Sequence, residues 1–210
     1  MTICDLEKHF DALGDNYKTA DVDRLNKALI KENADVSCLK DIVLERQEFH
    51  RTYFQVPMGQ MKIVAERLDF IENNFENLND WWHVDQLTQF VGKELSFGEA
   101  YDRARKYVVH PHPFARRWGY VIFMPRLVKG DYFDEIVKLF RDEEEYYVVM
   151  AEAWLISYLG IYHPEKTLEW LKTKPLEYNI VGRGIQKICD SYRISEEWKV
   201  KFKKIRSLYR

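Results

Sequence analysis

The 210-residue chain is poor in several features that mark common protein classes. Its three cysteines, Cys4, Cys38 and Cys189, are odd in number, widely spaced and without a C-x-x-C pair. That usage argues against a disulfide scaffold or a cysteine zinc site and for a reducing cytoplasm, the expected location. No charge-free apolar run approaches the ~18 residues a membrane-spanning helix needs. The N-terminal MTICDLEKHF has no basic region followed by an apolar one, so neither a membrane partner nor a secretory signal is expected. Nine glycines and six prolines are few, and the first 56 residues contain no proline. The chain has no G-x-x-x-x-G-K-[ST], no G-x-G-x-x-G and no G-x-S-x-G, leaving phosphate loops, dinucleotide folds and hydrolase elbows without support.

Charge of either sign is also in little excess, with a formal net charge of −2. That balance would argue against nucleic acid if it were uniform, and it is not. Residues 1–100 carry 11 Lys/Arg against 19 Asp/Glu, whereas residues 101–210 carry 21 against 15. A polyanion responds to local field rather than to the total. The basic residues group at Arg103, Arg105 and Lys106, at Arg116, Arg117, Arg126 and Lys129, and from Lys199 to Arg210. Each group would also serve as an ordinary solvated helix face.

What the chain has in quantity is helical spacing. Leu6, Phe10 and Leu13 make one stripe, and Val22, Leu25, Leu29 and Ile30 a second. Met61, Val64, Ala65, Leu68 and Ile71 form a third, for which Pro57 and Gly59 are read as the start. Phe133, Ile136, Val137 and Phe140 form another, and Thr167, Leu168 and Leu171 a shorter one. The last, Trp198, Phe202, Ile205 and Tyr209, follows Ser195, an N-cap residue, with Glu196 and Glu197 in the first turn. Breaks fall at Gly14-Asp15-Asn16, Gly92, His110 to Pro113, Gly130-Asp131, His163-Pro164 and Lys174-Pro175. Tyr120–Met124 and Tyr146–Met150 also have strand-like composition, although Tyr147, Ala151, Trp154 and Tyr158 continue the second at helical offsets. About a dozen helices are expected in one domain over residues 1–210. Their pairing at roughly 30–45-residue intervals suggests an all-α fold, an α-solenoid of repeats.

Three constellations carry chemistry. In Asn79-Asp80-Trp81-Trp82-His83-Val84-Asp85, Trp81 and Asp85 are four apart and share a helix face. An indole can contact a sugar while the carboxylate stabilises positive charge developing on it; alternatively the indoles are core and Asp85 is a cap. In Pro113-Phe114-Ala115-Arg116-Arg117-Trp118, two guanidiniums at a helix start can reach a phosphate, or can form surface ion pairs. In Tyr146 to Trp154, Trp154 either projects from a repeat or fills the core. His110-x-His112 lacks a nearby carboxylate and is interrupted by proline, so no metal is expected there.

Taken together and in this order, the three resemble the AlkD-like family of DNA alkylation repair proteins, HEAT-like-repeat DNA glycosylases. Asn79 to Asp85 is similar to the family's N-W-D-x-x-D helix, Phe114-Ala115-Arg116-Arg117 to its W-x-x-R, and Ala151-Glu152-Ala153-Trp154 to its A-I-G-W. Tyr53-Phe54-Gln55-Val56-Pro57 resembles its G-V-x-V-P. The resemblance runs from about residue 53 to about 190 and implies a right-handed solenoid of HEAT-like repeats. It implies catalytic roles for Asp85, Trp81 and Trp154, and DNA binding by Arg117 with Arg116 beside it. The implied activity is that of a monofunctional glycosylase on cationic N3- or N7-alkylated purines in double-stranded DNA, working as a monomer without metal or organic cofactor. The alternative is a non-catalytic helical-repeat module that binds nucleic acid structure or a protein partner. Four departures bear on this choice. Met150 stands where the family has Lys, Ser157 where it has Arg, and Phe114 where it has Trp, and the stretch from Pro57 to Trp81 is too short for a helix pair. Each lost cation lowers phosphate affinity through counterion release.

Overall fold

The computed structural model describes residues 2–14, 16–92, 94–124 and 126–209. Asp15 of the first expected turn and Arg210 of the C-terminal basic group lie outside the described residues. Among those described there are thirteen α-helices, four short 3₁₀ turns and no strand, so the fold is all-α. In chain order the helices are α1 (Ile3–Asp11), α2 (Thr19–Lys31), α3 (Gln47–Gln60), α4 (Val64–Glu72), α5 (Trp81–Asp85) and α6 (Thr88–Val91). They continue as α7 (Phe97–Tyr107), α8 (Pro113–Val121), α9 (Phe133–Ile136), α10 (Tyr146–Tyr162), α11 (Pro164–Lys172), α12 (Tyr178–Asp190) and α13 (Glu196–Leu208). No helix is long and apolar enough to cross a membrane among the described residues.

The chain divides into two compact units, Met1–Asn79 with Gln89–Val91 and Asp80–Thr88 with Gly92–Arg210. In the first, α1 starts at a capping box in which Thr2 and Asp5 satisfy each other's amide groups. Helices α2 and α3 pack closely: a Cβ on Gly59 would collide with the Ile30 side chain. Gly59 and Pro57 therefore lie inside α3, not at the start of the following helix as their residue types suggest. The proline removes one amide donor from the helix, and the chain continues for one more turn, with the Met61 amide closing on the Pro57 carbonyl at 3.0 Å. Only α4 and one 3₁₀ turn stand between Pro57 and Trp81, as the shortness of that stretch implied.

The second unit holds the three sequence constellations apart from Asn79. Its helices pack in succession, α7 on α8, α8 on α10, α10 on α12 and α12 on α13, with α5 against α8. Helix α7 begins at a second capping box, between Ser96 and Glu99, and Ser195 caps α13 by accepting from the Trp198 amide at 3.5 Å. The strand-like Tyr120–Met124 is the end of α8 and the turn after it, and its residues are buried. Helix α10 is apolar nearly all round, which marks a helix enclosed by neighbours rather than one lying on a surface. Ile156, Ile180, Val181, Ile185, Ile188 and Phe202 form the apolar seam joining α10, α12 and α13. The crossing of α10 and α12 is close because residue 184 has no side chain. A Cβ there would meet Ile156 Cγ2 at 2.7 Å, Ile156 Cβ at 2.9 Å and the Ala153 carbonyl oxygen at 3.3 Å. Gly184→Val is expected to lower the unfolding free energy by about 1–3 kcal/mol, the usual cost of overpacking, read from the urea midpoint at unchanged slope.

Candidate functional site

Helix α5 is a five-residue segment with a candidate site residue at each end. The Asp80 carboxylate at its N-cap accepts from the Trp81 amide at 2.6 Å, and Trp81 is left 48% exposed. One helical turn on, Asp85 lies on the same side and is only partly exposed. Helix α8 begins at Pro113, where a missing amide hydrogen costs nothing. Its second turn carries Arg117, 4% exposed, toward Asp85. Arg117 donates to Asp85 Oδ1 from Nη2 at 2.7 Å and from Nε at 3.2 Å, and from Nη1 to the Tyr147 carbonyl of α10 at 2.8 Å. These bonds join three helices through one guanidinium.

Both donors meet the same carboxylate oxygen. Asp85 Oδ2 accepts from no group among the described residues and is available to an incoming one. Burial pushes the Asp85 carboxyl above its ordinary value, and the charge and hydrogen bonds of Arg117 oppose the rise. A guanidinium has five N–H donors, and three are used here, which leaves two.

The carboxylate opens into a cavity of about 340 Å³. Trp81, Asp85, Arg117 and Trp154 all line it, so the three sequence constellations meet at one place. Trp154, from the middle of α10, is half-buried. Arg116 takes a different direction. Its guanidinium pairs with Glu143 at 2.7 Å and donates to the His110 and Pro111 carbonyls, both at 3.0 Å. It thereby fastens the turn before α8 to the segment before α10. Arg126, in the same basic group by sequence, donates to the Gly92 and Leu95 carbonyls. Much of that group's hydrogen-bonding capacity is thus spent within the protein.

The cavity also includes residues not among the expected site residues. Tyr146 and Tyr147 form its rim from the first turn of α10, and Lys187 reaches it from α12. The helical offset between Tyr147 and Trp154 was a usable signal for the tyrosine. No local pattern pointed to Lys187, which is 33 positions beyond Trp154 and enters only because α12 packs on α10. Of the four departures, Met150 lines the cavity. Ser157 turns inward and donates to the Trp154 carbonyl at 2.7 Å. Phe114 packs against the Tyr147 ring, centroids 5.6 Å apart. No group of three or more His, Cys, Asp or Glu residues is placed to hold a metal ion among the described residues.

The class so defined is an all-α protein in which an arginine-held carboxylate shares a cavity with two indoles. Residues 15–183 match the family model described as DNA alkylation repair enzyme. The chain belongs to that family, and its role lies in the repair of alkylated DNA. The match takes in most of the acidic N-terminal part, where the motifs had given no sign before Tyr53, and it ends within α12. Comparison with curated proteins and with solved structures returned no match.

Proposed function

We propose that the protein is a DNA glycosylase that hydrolyses the N-glycosidic bond of cationic N3- or N7-alkylated purines in duplex DNA. The observation carrying this reading is the Asp85 carboxylate, held by Arg117 through one oxygen and open through the other, in a cavity walled by Trp81 and Trp154. An alkylated purine already bears a positive charge. When its C1′–N bond breaks, the bonding pair leaves with the base and neutralises it, and the deoxyribose becomes oxocarbenium-like. The protein then has to stabilise a cation rather than protonate a leaving group. The electron-rich faces of Trp81 and Trp154 suit that task, and the fixed anion Asp85 suits it more strongly. Water attacks C1′ and loses its proton, for which Asp85 Oδ2 is the acceptor. The products are the neutral alkylated base and an abasic site. In this scheme Arg117 is a positioning residue for Asp85, and its two remaining donors are available to a phosphate.

The Arg117 pairing also favours one other reading, a nucleic-acid-binding module in which Asp85 only orders the arginine. Single-turnover release of 7-methylguanine from a duplex, with protein in excess, separates the two. Release above the spontaneous rate is expected. Release at the spontaneous rate, with the duplex shown to be bound, would leave only the binding module.

A further inference from the structure

A second, larger cavity of about 500 Å³ adjoins the Asp85 cavity, and the two share Met150 and Lys187 as walls. It is cut between α10, α12 and α13, and its polar lining is dominated by cations: Arg183 and Lys187 from α12 and Arg206 from α13. The two arginines are held in place by neutral groups. Arg183 Nε donates to Asn179 Oδ1 at 3.0 Å, its Nη1 lies 3.8 Å from Met150 Sδ, and its guanidinium sits 5.7 Å from the Tyr146 ring centroid. Arg206 Nη1 donates to Gln186 Oε1 at 2.7 Å, and its Nε to the Tyr178 hydroxyl at 3.3 Å. The amide of Gln186 is in turn anchored on Asp190 at 2.8 Å. Nearby cations of α13 are paired with carboxylates: Lys199 pairs with Glu196 and Lys201 with Glu197. Arg183, Lys187 and Arg206 form no ion pair among the described residues. Two guanidiniums oriented by neutral acceptors, with N–H donors unspent and Lys187 beside them, make a preorganised site for an anion with several oxygens. Met150 leaves the α10 wall without a cation, and Arg183 places one directly against it. Gln186, Lys187 and Arg206 all lie beyond the residues matched by the family model.

We infer that this cleft binds the phosphodiester backbone next to the nucleotide held at Asp85. The cation lacking at position 150 is supplied from α12 and α13. The inference rests on reading the Asp85 cavity as a nucleic-acid site, not on its glycosylase chemistry. The test is the salt dependence of binding to an unmodified duplex, measured by fluorescence anisotropy. Each neutralised phosphate contributes about 0.9 to the slope of log K against log salt. Arg183→Gln with Arg206→Gln is therefore expected to flatten that slope by roughly 2 and to weaken binding roughly tenfold at moderate salt. Arg183→Lys with Arg206→Lys keeps the charge and is expected to keep most of the slope, which separates lost contacts from lost folding. An unchanged slope in the glutamine variant overturns the inference. It is also overturned if inorganic phosphate raises the melting temperature of the native protein but not of the glutamine variant while the duplex slope stays the same. The cleft would then be a site for free anions. Base release is scored separately: a protein that releases no base but shows the slope change loses the glycosylase reading and keeps the cleft.

Discussion

Asp85→Asn is expected to reduce single-turnover base release by two to three orders of magnitude while leaving the protein folded. That size is typical of removing one preorganised electrostatic group from a transition state, roughly 3–4 kcal/mol. The asparagine carbonyl can still accept from Arg117, so the arrangement of α5, α8 and α10 survives and the loss falls on the charge. The pH profile adds a sharper reading. Release requires the ionised carboxylate, so the rate falls as pH drops through the Asp85 pKa. Burial raises that pKa, and the acid limb should lie above the ordinary aspartate value of 3.8. Arg117→Ala removes the charge and hydrogen bonds that hold the pKa down, so its acid limb should move to still higher pH. A phosphate contact alone would weaken binding and leave the limb in place. Equal release rates for native protein and Asp85→Asn would refute the catalytic role.

The second large effect concerns Glu152, two residues before Trp154 and fully buried in α10. It occupies the second position of the Ala151-Glu152-Ala153-Trp154 word. Its Oε1 accepts from the Arg141 amide at 3.2 Å, whereas Oε2 has no hydrogen-bond partner among the described residues, and the nearby Tyr120 hydroxyl donates to the Leu139 carbonyl at 3.2 Å. Burial pushes the carboxyl up to about 8, against the Arg141 amide and Tyr120, which favour the ionised form. The folded protein thus holds this proton more tightly than the unfolded chain, whose glutamates titrate near 4.5. The contribution is fully present below pH 4.5, declines as pH rises and is spent above about 8. Across that window it amounts to roughly 3–6 kcal/mol. Glu152→Gln is neutral at every pH and keeps the acceptor for Arg141. Its stability relative to the native protein should therefore climb between pH 4.5 and 8 and then level off. Denaturant melts of both proteins at several pH values measure the difference. A difference independent of pH would mean that the carboxyl titrates normally.

Both effects depend on features that were unequally legible in the sequence. The helical stripes, the Ser195 cap and the Trp81–Asp85 face involve residues three or four apart, so backbone geometry alone fixes them. The charge asymmetry was also legible, but not which cations would remain available. Arg116, Arg117 and Arg126 look alike in sequence; in the structure one meets Glu143, one Asp85 and one two carbonyl groups. Pro57 and Gly59 misled for a related reason. Their residue types suggest a boundary, yet the close approach of Ile30 makes a glycine necessary inside α3.

By itself, then, the sequence determined an all-α chain, the motif words of its family and the local placement of the indoles and the carboxylate. Only the tertiary structure decided that Arg117, 32 positions away, holds Asp85 by one oxygen, that Glu152 faces the core, and that Arg183, Lys187 and Arg206 converge beside the same cavity. The division follows the range of the forces. Periodicity and capping act within one helical turn, whereas ion pairs and desolvation depend on which helices pack together, and side chains from the whole second unit settle that at once.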